Sequence, residues 1–446
     1  MLALPLSIAA ALAIDHIKHR TLIAAVAIVL AVVIARRVWG SFAVVAPTFL
    51  LPDLPTRYDV AGRLQIAILT VILARIYWDT VGRPKLSDLA LGAATAFTVF
   101  QIVLALVHGT SSETAIWPCL LAFAGVMFGT SLTTSAVARA AVGYASIPLA
   151  LLAVAEMLGV HNPWPALVHS TALIAESAEA GNLRGQSTFG QPLIAGACLA
   201  TLAAIMLQSR TRHAAILAAV MAGGAVATVS RSAIIGVAAG MAVSLVVGPE
   251  RPRKLLQFAA VAALALILIT QITRLRESFT TRTTNPIYTN QEVRDYALTS
   301  IKDEWDSDPA RLLLGQGNHA VTETLEAVGG VNGYYIFDNE YVTAIDDLGA
   351  LPLLLIGALI VAAVARTTPQ ARSFGLPAMA TVVVIMFFTD GLAWLSISFL
   401  AWIAFGLASS QGATDADSTE MSPQRTIRPR LRPRAQAGYP MRLPGA

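Results

Sequence analysis

Charge is what this sequence has least of. Only 13% of its residues are charged and 56% are hydrophobic, whereas a soluble domain carries about 25% charged residues. That leaves too little polar surface to cover a soluble particle made from a chain of 446 residues. Cysteine is nearly absent. Cys119 and Cys198 both lie within apolar runs, which argues against a disulfide framework and against a cysteine metal site. His161, His169 and His319 have no metal-ligand spacing, and no P-loop, nucleophile elbow or zinc motif occurs. Met1–Ile14 is apolar without a basic start, so no cleavable signal peptide is expected.

Long apolar runs are present in quantity, and the mean hydropathy is +0.65. Leu89–Val107, Leu255–Ile272 and Leu348–Ala365 are rich in Leu, Ala, Val and Ile. A spanning helix needs roughly 20 mostly apolar residues, and barrel strands would alternate instead. The expected fold class is therefore all-α, a polytopic transmembrane helical bundle of about 12–14 helices. The clearest expected spans are 63–80, 88–107, 114–131, 138–159, 190–208, 214–229, 232–248, 255–273, 341–365, 374–390 and 392–408. The stretch 21–51 reads as one long element or two short ones broken at Arg36 and Arg37.

Basic residues set the expected orientation. The tail after Ser409 is rich in Pro and Arg, with Arg425, Arg428, Arg430, Arg432 and Arg434, and it reads as disordered and cytoplasmic. Counting back from it puts Arg366 and Arg372, Arg251, Arg253 and Lys254, Arg210 and Arg212, Arg139, and Arg83 and Lys85 all inside. Two polar segments then fall outside, about 160–189 and 274–340. The second holds 11 acidic and 6 basic residues and is long enough for helices of its own, for example 291–305 and 319–328. Loops of that length are usually functional. The expected organisation is an N-terminal helical bundle over 1–273, a large extracytoplasmic loop over 274–340, C-terminal spans over 341–408 and a basic cytoplasmic tail over 409–446. Membrane lipids are the expected partners, and no nucleic-acid partner is expected.

On this map a few arginines lie on the outer side, against the usual bias. Arg184 precedes Gly185-Gln186-Ser187-Thr188-Phe189-Gly190-Gln191-Pro192, Arg231 stands in the Ser230-Arg231-Ser232-Ala233 turn, and Arg294 opens the large loop. A single outer arginine is best read as snorkelling to headgroups. Three on one face suit a phosphate-bearing ligand, because the guanidinium fork matches phosphate oxygens. The loop closes on Asp338-Asn339-Glu340-Tyr341. A partly desolvated carboxylate there can serve as a general base, although on its own Asp338 is better read as a helix N-cap. Asp346 and Asp347 lie deeper and must face protein or water. Arg75 and Asp390 read as structural partners.

In order, these pieces resemble the O-antigen ligase and O-antigen polymerase family, bacterial membrane glycosyltransferases of GT-C-like architecture. The resemblance covers roughly residues 180–365. It runs from Arg184 to Pro192, through Ser230 to Ala233, then Arg294, then Leu312 to Gly317. It ends on Asp338, Asn339, Tyr341, Val342, Ile345, Asp347 and Gly349 in the register of a His-Asn-x-Tyr-Leu stretch followed by Leu-x-Glu-x-Gly. The resemblance implies transfer of a glycan from an undecaprenyl diphosphate donor to an acceptor hydroxyl, glycan or lipid, on the outer face. Arg184, Arg231 and Arg294 would hold the diphosphate and Asp338 would act as base. Asn339, Tyr341, His319 and Asp347 would bind substrate. No cofactor and no metal are implied. Asp338 stands where the ligases have His, which favours a polymerase, or a ligase acting on another cell-surface glycan. The competing expectation is a transporter or flippase of lipid-linked glycans, whose sites lie near the bilayer midplane.

Overall fold

A computed structural model describes residues 87–108, 112–134, 136–162, 185–209, 213–247, 290–317, 320–321, 323, 339–389 and 395–410. Every regular element among them is helical. In chain order they are α1 (Asp88–His108), α2 (Ser112–Thr134), α3 (Ala136–Met157), α4 (Pro192–Leu207), α5 (Ala214–Ala227), α6 (Arg231–Val247), α7 (Asn290–Ser307), α8 (Pro309–Leu314), α9 (Glu340–Leu348), α10 (Ala350–Ala365), α11 (Pro369–Met386) and α12 (Leu395–Ser409). Two of these, Asp88–His108 and Ala138–Met157, are long and apolar enough to cross a membrane, and a third span results if the bent pair α9–α10 is counted as one. Six further apolar helical stretches are shorter. The expected spans at 63–80 and 255–273 lie outside the described residues.

Local chemistry explains where the helices start. Pro192 and Pro369 occupy first helical positions, where a missing N–H costs nothing. Thr368 caps α11 by accepting from the Ala371 N–H, and Asp308 caps α8 by accepting from the Ala310 N–H. Both side chains satisfy an amide that has no partner within the helix.

Small residues let the helices approach closely. Gly125 and Gly129 on α2 face Phe399, Trp402, Ile403, Gly406 and Leu407 on α12 in rising order, so these two helices run parallel. A side chain at Gly129 would collide with the backbone of α12, as expected where glycines four apart let two apolar helices touch. Gly236 and Gly240 on α6 meet Ile385, Thr381 and Pro377 on α11 in falling order, so that pair is antiparallel. The largest buried cluster spans α2–α6, α11 and α12. A second joins α1 and α10 to α2 and α12. The outward faces of α1 and α10 carry Val99, Ile102, Leu106, Val107, Leu351, Leu354 and Val361, an apolar surface of the kind that meets lipid or another chain.

A polar layer interrupts the second cluster. Thr98 Oγ1, Gln101 Oε1, Ser398 Oγ and Trp402 Nε1 are buried without a hydrogen-bond partner among the described residues, and the Trp402 ring lies 5.3 Å from that of Phe97. A buried hydroxyl with no partner costs stability rather than supplying it. Ser398→Ala should therefore be neutral, or stabilising by about 1 kcal/mol. The midpoint of thermal unfolding in detergent checks this, and a clear drop would mean that ordered water satisfies the hydroxyl.

One expected span is corrected. Residues 341–365 do not form a continuous helix, because α9 and α10 meet at 116°. Gly349 makes the break at φ 87°, ψ 154°, backbone open essentially to glycine alone. The first of the two, α9, packs against Trp305 of α7 and Arg311 of α8. The loop helix expected over 291–305 is found as α7. That expected over 319–328 falls mostly outside the described residues, although 320, 321 and 323 are helical.

Candidate functional site

The end of the bundle where α3, α5 and α11 finish and α4 and α6 begin gathers the segments that the sequence singles out. Arg184 lies outside the described residues, but the segment that follows it is packed in. Gly185 donates its N–H to Ala227 O at the end of α5, 3.1 Å away. Glu156, near the end of α3, organises the next turn. Its carboxylate accepts from the N–H groups of Gln186 (2.7 Å) and Ser187 (2.6 Å) and from Asn162 Nδ2 (2.6 Å). Asn162 also donates to Ser187 O at 2.7 Å, and Ser187 Oγ donates to Leu149 O at 2.9 Å. Ser187 itself has φ 54°. Gln186, Ser187, Thr188 and Phe189 are all buried. A carboxylate is the group best able to satisfy several converging donors away from water.

The turn bearing Arg231 is beside this segment. Gly196 on α4 packs against Thr228, Ser230 and Ala233. Val229 takes φ 54°, and Ser230 and Ser232 share a hydroxyl hydrogen bond of 2.8 Å. Arg231 is exposed at the first position of α6, whose first turn has no acidic residue. The amide dipoles of a helix N-terminus already favour negative charge. A guanidinium there adds positive charge to the same helix start.

Because α6 and α11 are antiparallel, α11 finishes at this same end, and it carries α9. Glu340 donates its N–H to Thr389 O at 3.1 Å. Tyr341 donates its hydroxyl to Val383 O at 2.9 Å and packs on Phe387 with ring centroids 4.4 Å apart. The cap of α9 is Asn339, whose Oδ1 accepts from the N–H groups of Tyr341 (3.1 Å) and Val342 (3.4 Å). This corrects the expectation that Asp338 fills the N-cap. Asn is at least as good as Asp in that role, and Asn339 is the residue in register. Asp338 and His319 lie outside the described residues.

The loop helices close the arrangement. Ile301 and Trp305 of α7 pack with Val321 and with Val342 of α9. Arg294 is on α7, two turns before Ile301. Asp347 accepts from the Ala320 N–H at 3.0 Å. Asp346 is fully buried and meets Arg311 of α8 as a two-pronged pair, with Nε to Oδ1 and Nη2 to Oδ2 both 2.9 Å. Trp305 Nε1 donates to the same carboxylate at 2.9 Å, and Glu304 is ion-paired with Arg311. Burial alone would lower the Arg311 pKa. Hydrogen bonding and charge from Asp346, with the charges of Glu304 and Asp308, hold it above its usual value. Arg311 is thus a permanent cation.

The expectation that Asp346 faces protein holds. Three expected substrate binders, Asn339, Tyr341 and Asp347, have structural bonds in this arrangement. Glu156 and Arg311 are the organising residues that sequence reasoning passed over. Their signal was a charge at the end of an apolar run, Ala153-Val154-Ala155-Glu156 and Arg311-Leu312-Leu313-Leu314. Among the described residues, no three His, Cys, Asp or Glu side chains form a group able to hold a metal. Comparison with protein-family models and with curated proteins finds no match to the chain.

Proposed function

We propose that this chain is a polytopic membrane glycosyltransferase. It moves a glycan from an undecaprenyl diphosphate donor to an acceptor hydroxyl at the extracytoplasmic face of a bacterial cell membrane, in the manner of the O-antigen ligases and polymerases it resembles. The acceptor oxygen attacks the anomeric carbon, the bond from that carbon to the diphosphate oxygen breaks, and the acceptor proton passes to Asp338. Arg184, Arg231 and Arg294 take up the charge that grows on the departing diphosphate, a stabilisation that counts most where it is pre-arranged.

The observation that carries this reading is the common location of the motif-bearing elements. The segment after Arg184 is bonded to the end of α5 beside the Arg231 turn, α11 packs on α6 and bears the first turn of α9, and α9 packs on α7, the helix that carries Arg294. In this reading Arg231, exposed at the start of α6, is one of the diphosphate ligands.

The test is transfer by purified protein in proteoliposomes, from a lipid-linked oligosaccharide to a glycan acceptor. Arg231→Ala should lower transfer by about 10²-fold or more, and Arg231→Lys by less. Unchanged product length and amount in Arg184→Ala, Arg231→Ala and Asp338→Ala together would overturn the proposal.

One feature favours a second reading as transporter or flippase, namely the helix broken at Gly349, since transporter sites are often built at such breaks. Movement of a labelled lipid-linked glycan across the proteoliposome membrane, with no transfer product, would select it.

A further inference from the structure

We propose that Arg311 and Asp346 are positioning residues that fasten the α7–α8 arm of the large loop to α9, so that α9 acts as a strut tied at both ends. The inference rests on the glycosyltransferase reading only for the activity it would affect. Its geometry stands apart from that reading.

At its start, α9 is tied to the bundle through the Glu340 N–H on Thr389 O and the Tyr341 hydroxyl on Val383 O. At its finish, it is tied to the loop. The Arg311 guanidinium joins three helices at once, through Glu304 of α7, its own place on α8 and Asp346 of α9. The backbone repeats the tie. Gln316 donates its N–H to Asp346 O at 3.0 Å and Gly317 donates to Asp347 O at 2.8 Å. Gly315 and Gly349 cross so closely that a side chain on either would run into the backbone of the other strand.

Stability alone is a poor account of the pair. A buried ion pair recovers little more than its desolvation cost, and well-packed apolar replacements often match it. What the two-pronged geometry supplies, and an apolar contact does not, is a fixed register between the arm and α9. The first turn of α9 directly follows the proposed base, so a slip of that register would misplace the acceptor side of the reaction.

The decisive variant is the apolar pair Arg311→Met with Asp346→Leu, which fills the same space and removes the two-pronged tie. Spin labels are placed at the exposed positions Leu298 on α7 and Leu351 on α10, in the full chain purified in detergent. The distance distribution should be narrow in the parent and clearly broader in the double variant, with the unfolding midpoint of the bundle little changed. In the proteoliposome assay kcat should fall by about 10²-fold, as for a misplaced reacting group, with KM for the donor unchanged. Arg311→Lys, which keeps the charge and loses the fork, should fall between. A distribution as narrow in the double variant as in the parent would overturn the strut, and so would a broad one with kcat intact. If the parent itself transfers nothing, the glycosyltransferase reading fails and the distance distributions alone decide the strut.

Discussion

Glu156→Ala should destabilise the protein by about 3 kcal/mol, because the carboxylate is the acceptor for two buried backbone donors and one part-buried side-chain donor. Its removal strands the Gln186 and Ser187 N–H groups and one Asn162 N–H, and each buried donor left unpaired costs about 1–3 kcal/mol. Water entering from the Asn162 side offsets part of that sum. Glu156→Gln is the informative companion. Its single carbonyl oxygen can stay on the two backbone amides, now served by one carboxylate oxygen, while its amide turns toward Asn162. Asn162 must then rotate and give up its bond to Ser187 O. That is roughly one hydrogen bond, or about 1 kcal/mol. The expected order is therefore parent above Gln above Ala, read from thermal or denaturant unfolding in detergent. If Ala melts with the parent, Glu156 does not organise the 185–191 segment. If Gln is as damaging as Ala, the charge matters and not the count of acceptors.

This pair of variants also bears on the candidate site. The segment that Glu156 holds carries on directly from Arg184 and is bonded to the end of α5 beside the Arg231 turn. A loosened segment should weaken any anion bound between those two places, even though residue 156 is not itself a ligand.

The parts of the fold that were legible in the sequence are those set by hydropathy over a helix length. The runs behind α1, α3, α4, α5, α6 and α12 announce themselves, because a mostly apolar stretch bounded by Gly, Pro or polar residues has few alternatives to a packed helix. The break at Gly349 was not legible. Tyr341 to Ala365 is apolar enough to read as one span. What interrupts it is a partner distant in sequence, the Gly315 backbone and the Arg311 guanidinium. Hydropathy reports the cost of leaving water but not which residues will meet. The site was legible in the same uneven way. Arg231 and Asp346 stood out because a charge in an apolar setting needs a reason. Glu156 lay at the end of a span, where a carboxylate reads as an ordinary boundary residue, and only the buried turn at Ser187 reveals its work. The cap of α9 was missed by one residue, since Asp338 and Asn339 are equally good caps by type and only the backbone tells which is in register.

Gly349→Ala should have an effect as large as that of Glu156→Ala but of a different kind. The backbone at φ 87°, ψ 154° lies where a residue with a Cβ is held at a cost of about 1–3 kcal/mol. The added methyl would also come within 2.5 Å of Gly315 N and Leu313 O. Those atoms are backbone and cannot swing aside, so relief requires the α8–Gly315 strand to back away, adding about 1–3 kcal/mol of overpacking. The combined cost is about 2–6 kcal/mol. The system can avoid paying it in full by releasing the loop arm. The expected signature is therefore exposure of the 309–317 segment to protease before the bundle unfolds. Gly315→Ala should behave alike, and the double variant should cost less than the two together, because each relieves the same crossing. Gly357, in the middle of α10, has open space where its Cβ would be. There the same substitution should be stabilising by about 0.5–1 kcal/mol, the ordinary helix preference for alanine over glycine. Opposite signs for the same chemical change on adjoining parts of one chain would identify the Gly315–Gly349 crossing, and not helix propensity, as the cause of the bend. Equal, mild effects at both positions would mean that α9 and α10 can straighten, and that the crossing does not hold the loop arm.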